Sequence, residues 1–118
     1  MSIRQEPLVI EDVAGVPAGE RVLRLTGPIV ISNLFEFQSM VRSDQSARLI
    51  IDFTAVPYVD SAGIGALVGA YVNRQKAGRS LALVGVNERI LNAFKITHVD
   101  NFFRYFDNLD AAQKAMAS

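Results

Sequence analysis

The distribution of apolar and polar residues divides the chain into segments of different period, and the first two read as strands. Leu8 to Val13, LVIEDV, is a short apolar run, AGVPAG after it is dense in turn formers, and RVLRLT alternates Leu23 and Leu25 with Arg24 and Thr26. Two strands joined as a hairpin are expected. After GPIVIS, the segment NLFEFQSMVR opens with Asn33 and carries Glu36 three residues on, a capping-box pattern, while Leu34, Phe37 and Val41 share one helical face. That predicts a first helix begun by Asn33. ARLIIDF, Ala47 to Phe53, is nearly continuous in apolar residues, as a central strand covered on both faces requires. From Asp60 to Lys76, Ile64, Leu67, Val68, Tyr71 and Val72 fall at helical spacing, and Ala-Gly before Arg79 supplies a stop.

SLALVGV repeats the buried-strand character. Asn87 is placed to cap a helix that turns Ile90, Leu91 and Phe94 inward, NFFRYF returns to strand, and Asp107 is placed to cap a last helix through Met116. An opening hairpin followed by βα units predicts an α/β fold. Its mixed β-sheet would carry about four helices packed mainly on one face, with loops at one end free for function. The 118 residues, half of them apolar, suit one domain spanning 1–118, with no internal repeat or linker.

Charge and composition narrow the function classes. Lysine plus arginine equals aspartate plus glutamate at 12 each, so no long-range positive field draws in nucleic acid or an anionic membrane. The absence of cysteine removes disulfide frameworks, thiolate metal sites and thiol catalysis, and suits a reducing compartment. MSIRQEPLVIEDV holds no apolar signal core, and no run approaches the roughly eighteen apolar residues of a membrane span. The expectation is a soluble, cytoplasmic protein without membrane insertion and without direct contact to nucleic acid.

The chemistry-bearing candidates centre on YVDSAGIGALVGAYV, Tyr58 to Val72, where three glycines sit in helical sequence although each costs about 1 kcal/mol against alanine. Gly63, Gly65 and Gly69 approach a dinucleotide fingerprint, but TAVPYVDSA separates them from the strand and no acid stands about twenty residues on. No Gly-Lys-Ser/Thr forms a phosphate loop. Ser61 lies in half of a nucleophile elbow, with Val59 where the first glycine belongs. His98, the one histidine, falls in a helix-to-strand turn of the kind that favours left-handed backbone. No catalytic residue, cofactor site or metal site is assigned, because scattered single carboxylates and one histidine match no ligand spacing. FFRY lacks a basic patch and reads as strand core rather than as a base-stacking platform.

What remains is a helix end. Asp60 is a good N-cap, which puts Ser61 at the first helical position, where backbone N–H groups lack partners and negative charge is favoured. Ala62, Ala66 and Ala70 form one row of small residues and Gly65 and Gly69 another. That flank suits close packing on the domain's own sheet or on a partner, and substituting Gly65 is expected to overpack it.

LIIDFTAVPYVDSAGIGALVGAYVNRQKAGRSLALVGV resembles the STAS family, named for sulphate transporters and anti-sigma factor antagonists, and in particular its small free-standing bacterial members. The family pattern is a hydrophobic strand ending in aspartate, a short loop, then Asp-Ser-x-Gly opening a helix. Here these are Ile50 to Asp52, Phe53 to Val59, and Asp60, Ser61 and Gly63. RILNAFKITHVDNFFRYFDNLDAA follows the family's helix, turn, strand and final helix in order.

The resemblance implies a non-enzymatic anti-sigma factor antagonist acting in transcription regulation by partner switching. Unphosphorylated, it would bind an anti-sigma factor with serine kinase activity through Asp60, Ser61, Ala62, Gly63, Ile64 and Gly65, releasing a sigma factor. Ser61 would be the phosphoacceptor, with Ala62 leaving no second hydroxyl in the motif, and a phosphatase would act on phosphorylated Ser61. One departure stands out: many such regulators carry Gly-x-Leu-Asp before the first helix, where this chain has Gly27, Pro28, Ile29 and Val30. That loop is more like the STAS domains of anion transporters. The alternative it implies is a binding or scaffold module with no phosphorylation cycle.

Overall fold

Residues 7–117 are described by the structure, a computed structural model. The alternating segments near the N-terminus form β1 (Val9–Asp12) and β2 (Glu20–Thr26), an antiparallel pair in which Val9 faces Thr26 and Asp12 faces Leu23. Three parallel additions follow. α1 (Phe35–Ser43) leads to β3 (Arg48–Ala55), α2 (Ser61–Lys76) to β4 (Ser80–Val84), and α3 (Glu88–Ile96) with a short 3-10 turn to β5 (Arg104–Phe106). α4 (Leu109–Met116) closes the described chain. The sheet order is β1-β2-β3-β4-β5, so each crossover steps one strand in the same direction. Crossovers of one hand stepping one way lay their helices on one face.

Side-chain alternation divides the interior accordingly. Leu23 and Leu25 of β2, Leu49, Ile51 and Phe53 of β3, and Leu81 and Leu83 of β4 point to the face covered by α1, α2 and α3. There they meet Phe37, Val41, Ile64, Leu67, Ile90 and Phe94. The intervening Val22, Ile50, Ala82 and Val84 point the other way, onto Ala112 and Met116 of α4. Three helices on one face and one on the other is the mixed α/β architecture expected.

Several local expectations are corrected. Asn33 does not cap α1, which begins at Phe35 with no side-chain cap on Leu34; its amide instead accepts from Val30 N–H and donates to Pro28 O within the preceding loop. Asn108, not Asp107, caps α4, accepting from Ala111 N–H at 2.8 Å. β3 runs past Asp52 to Ala55, and only Arg104–Phe106 of NFFRYF is strand. The expected turn at His98 is left-handed, with φ 61°.

An ion-pair lattice ties the elements together at the end of the sheet where α1 closes. Asp44, beyond the C-terminus of α1, receives Arg74 of α2 at 2.9 Å and Arg21 of β2 at 3.2 Å, and Arg21 also reaches Asp12 at 2.8 Å. Arg74 is buried, and it donates in addition to the carbonyls of Ser80 and Ser46. Burial pushes the Asp44 carboxyl up, but the Ser46 hydroxyl and the Arg21 and Arg74 guanidiniums outweigh it and hold the group below its ordinary value.

Candidate functional site

The turn between β3 and α2 is built by hydrogen bonds from a loop far away in sequence. Gly27 N–H donates to Ala55 O, Ile29 N–H to Tyr58 O, and Asp60 N–H to Ile29 O, so Gly27–Ile31 lies along the turn as an added strand-like edge. Asp60 is extended, with ψ −179°, and its two carboxylate oxygens do different work. Oδ1 accepts from Gly63 N–H at 2.9 Å, which caps α2, while Oδ2 accepts from Ile31 N–H at 3.1 Å, which fastens the loop. A serine or asparagine could cap the helix; the carboxylate caps it and binds a second segment.

Ser61 therefore occupies the first position of α2. It is exposed, and its hydroxyl makes no hydrogen bond among the described residues. Beyond the capping Asp60 the first turn of α2 carries no acidic side chain, and the N–H groups of Ser61 and Ala62, which have no partner within the helix, lie beside the hydroxyl. Ile31 and Phe35, 67% and 79% exposed, bring apolar surface from the same loop and from the first turn of α1. These two residues were not singled out by sequence reasoning, because an isolated apolar residue at a loop end carries no periodic signal.

The remaining motif residues sort by burial. Ala62 is half-buried and Gly65 exposed, whereas Gly63 and Ile64 face inward. The close approach expected at Gly65 belongs to Gly63. A Cβ on Gly63 would lie 2.5 Å from Ile29 O and from Val59 Cγ1, while one on Gly65 or Gly69 would meet nothing within 4 Å. Gly63 is thus needed for the Gly27–Ile31 loop to sit against α2, and Gly65 leaves a bare strip of backbone at the surface.

On its other flank the turn meets the start of α3. Asn87 caps α3 and also donates to Val56 O and Pro57 O, and the Arg89 guanidinium lies 4.9 Å from the centre of the Tyr58 ring. Among the described residues no histidine or carboxylate is hydrogen-bonded to Ser61, and no three His, Asp or Glu side chains come together as metal ligands would. No helix of the described chain is long and apolar enough to cross a membrane.

Comparison with known proteins supplies the remaining context. Residues 9–112 match the STAS domain family. An anti-sigma-B factor antagonist of Listeria monocytogenes is 41% identical over 49 residues, 42% of this chain and 43% of that protein. The match thus spans less than half the length of that relative. Among solved structures, an anti-sigma factor antagonist from Mycobacterium paratuberculosis superposes with a TM-score of 0.78 at 21% identity, covering 97% of this chain and 96% of the other. The Bacillus cell fate determinant SpoIIAA in its phosphorylated form superposes with a TM-score of 0.67 at 14% identity, over 92% and 98% of the two chains.

Proposed function

This chain belongs to the STAS domain family, and on that premise we propose that it is an anti-sigma factor antagonist that acts by binding and is switched at Ser61. Unphosphorylated, it docks the N-terminal end of α2 on an anti-sigma factor that is also a serine kinase, and a sigma factor is released. Phosphorylation of Ser61 ends the contact, and a phosphatase restores it. The cycle runs in the cytoplasm, where sigma factors act. Asp60, Ser61, Ala62 and Gly65 form the contact surface, with Gly63 and Ile64 shaping it from beneath.

The observation that carries this reading is the exposed, unbonded Ser61 hydroxyl at the first position of a helix already capped by Asp60. A kinase can reach such a group without unfolding anything. The phosphate adds about 1.5 to 2 negative charges and a hydration shell where a partner would otherwise approach bare backbone at Gly65. The helix N-terminus receives that charge favourably, so the modification alters the surface rather than the fold. The antagonist relatives named above, and a neighbour solved in phosphorylated form, support the same reading.

Calorimetry against the anti-sigma kinase, at one salt concentration, tests it. Ser61→Ala is expected to bind constitutively, and Ser61→Asp and the phosphorylated chain to bind at least tenfold more weakly. Equal affinities, or mass spectrometry finding phosphate elsewhere after incubation with kinase and labelled ATP, would leave an unregulated binding module, the reading that the uncharged Gly27–Val30 loop favours.

A further inference from the structure

Asn87 makes three hydrogen bonds with one small side chain, and they join two segments that lie about 30 residues apart. Its Oδ1 accepts from Ile90 N–H at 2.8 Å, which caps α3. Its Nδ2 donates to Val56 O at 3.2 Å and to Pro57 O at 3.1 Å, both in the turn that leads into Asp60. A helix cap needs only the oxygen. The two donated bonds are surplus to capping, and a carboxamide is the side chain of this size that accepts at one end and donates twice at the other.

The carbonyls it holds belong to the segment that presents Ser61. That segment is fastened on its opposite flank by Ile29 and by the second oxygen of Asp60, so the turn is gripped from both sides. The second grip comes from α3, an element that otherwise has no part in the motif. Arg89, in the first turn of α3, lies over the ring of Tyr58 and links the same two segments again.

We propose that Asn87 is a positioning residue for the switch: by clamping Val56–Pro57 to the start of α3, it holds the N-terminus of α2 in the geometry that a partner or kinase meets. Its biological consequence rests on the Ser61 reading above, but its structural content does not. Capping and clamping separate cleanly by substitution. Asn87→Asp keeps the shape and the cap oxygen and sets a carboxylate oxygen against the two carbonyls in place of both donors, whereas Asn87→Ala removes cap and clamp together.

Amide hydrogen exchange on the whole chain, with no partner present, is the test. In Asn87→Asp, the amides of Asp60 and Gly63 are expected to exchange about tenfold faster, as loss of hydrogen bonds to the turn requires. Ile90, still capped, should keep its parental rate. In Asn87→Ala, Ile90 should accelerate as well. Unchanged exchange at Asp60 and Gly63 in Asn87→Asp would overturn the proposal, as would acceleration of Ile90 in the same proportion, which would mark a lost cap and not a lost clamp. Once the anti-sigma kinase is in hand, Asn87→Asp should lower kcat/KM for Ser61 phosphorylation at a temperature where both chains are folded. A chain that shows the exchange pattern but is never phosphorylated would keep the clamp and remove the switch.

Discussion

At the scale of single residues, Gly63 and Gly65 occupy the same helix, two positions apart, with opposite demands on their hydrogens. A methyl group at Gly63 would press on Ile29 O and Val59 Cγ1 at 2.5 Å, and neither backbone nor packed valine can yield without displacing the Gly27–Ile31 loop. Gly63→Ala is therefore expected to destabilise by about 1–3 kcal/mol, as overpacking does. Gly65→Ala meets open space and should stabilise by up to about 1 kcal/mol through helix propensity. Urea denaturation of both variants at neutral pH checks the pair. If Gly65→Ala also weakens binding to the anti-sigma kinase while raising stability, the bare strip at Gly65 serves a partner and not the fold. The glycine pattern in the sequence pointed to close approach but could not assign it, because the atoms that decide it belong to Ile29, remote along the chain.

Among the elements, the strands and α2 were legible because their signals are local: continuous apolar runs in ARLIIDF and SLALVGV, and apolar residues at helical spacing from Ile64 to Val72. The Asp60 cap was legible for the same reason. What sequence reasoning missed depends on contacts across the fold. Asn33 satisfies a capping-box pattern, yet its amide serves Val30 and Pro28 because the loop must lie along Tyr58–Asp60. Asn87 is legible as a cap, but its two further bonds reach carbonyls about 30 residues away and leave no local signal. The Asp44 lattice joins β2, α1 and α2, and it carries a prediction at this scale. Removing Arg74, as in Arg74→Leu, leaves the buried Asp44 with Arg21 and the Ser46 hydroxyl only and strips donors from the carbonyls of Ser80 and Ser46, and should cost about 3 kcal/mol. The same carboxylate sets an acid limit. Its pKa in the folded chain lies below the ordinary 3.8, so its contribution is complete above that value and is lost as pH falls beneath it. Asp44→Asn should lower stability at pH 6 and flatten its decline below about pH 4, measured by urea midpoints across that range.

Over the whole molecule, the two cores lie on opposite faces of one sheet, and Ser61 belongs to neither. A charge added to its hydroxyl meets the partnerless N–H groups at the start of α2, with the capping carboxylate of Asp60 the one acidic side chain at that helix end. Such a charge is worth about 0.3–1 kcal/mol in favour of the helix at an exposed terminus. Phosphorylated protein is therefore expected to melt no lower than the bare chain, and Ser61→Asp to melt at the same temperature or slightly higher. Amide chemical shifts should move in the segments that converge on the turn, residues 27–33, 57–65 and 87–89. They should stay fixed around Ala112 and Met116, on the far side of the sheet. Calorimetric melting and heteronuclear spectra of the two forms decide the matter. A fall of several degrees, or shifts spreading to α4, would mean that phosphorylation acts by loosening the domain. Loss of partner binding with the fold intact would place the whole effect at the surface.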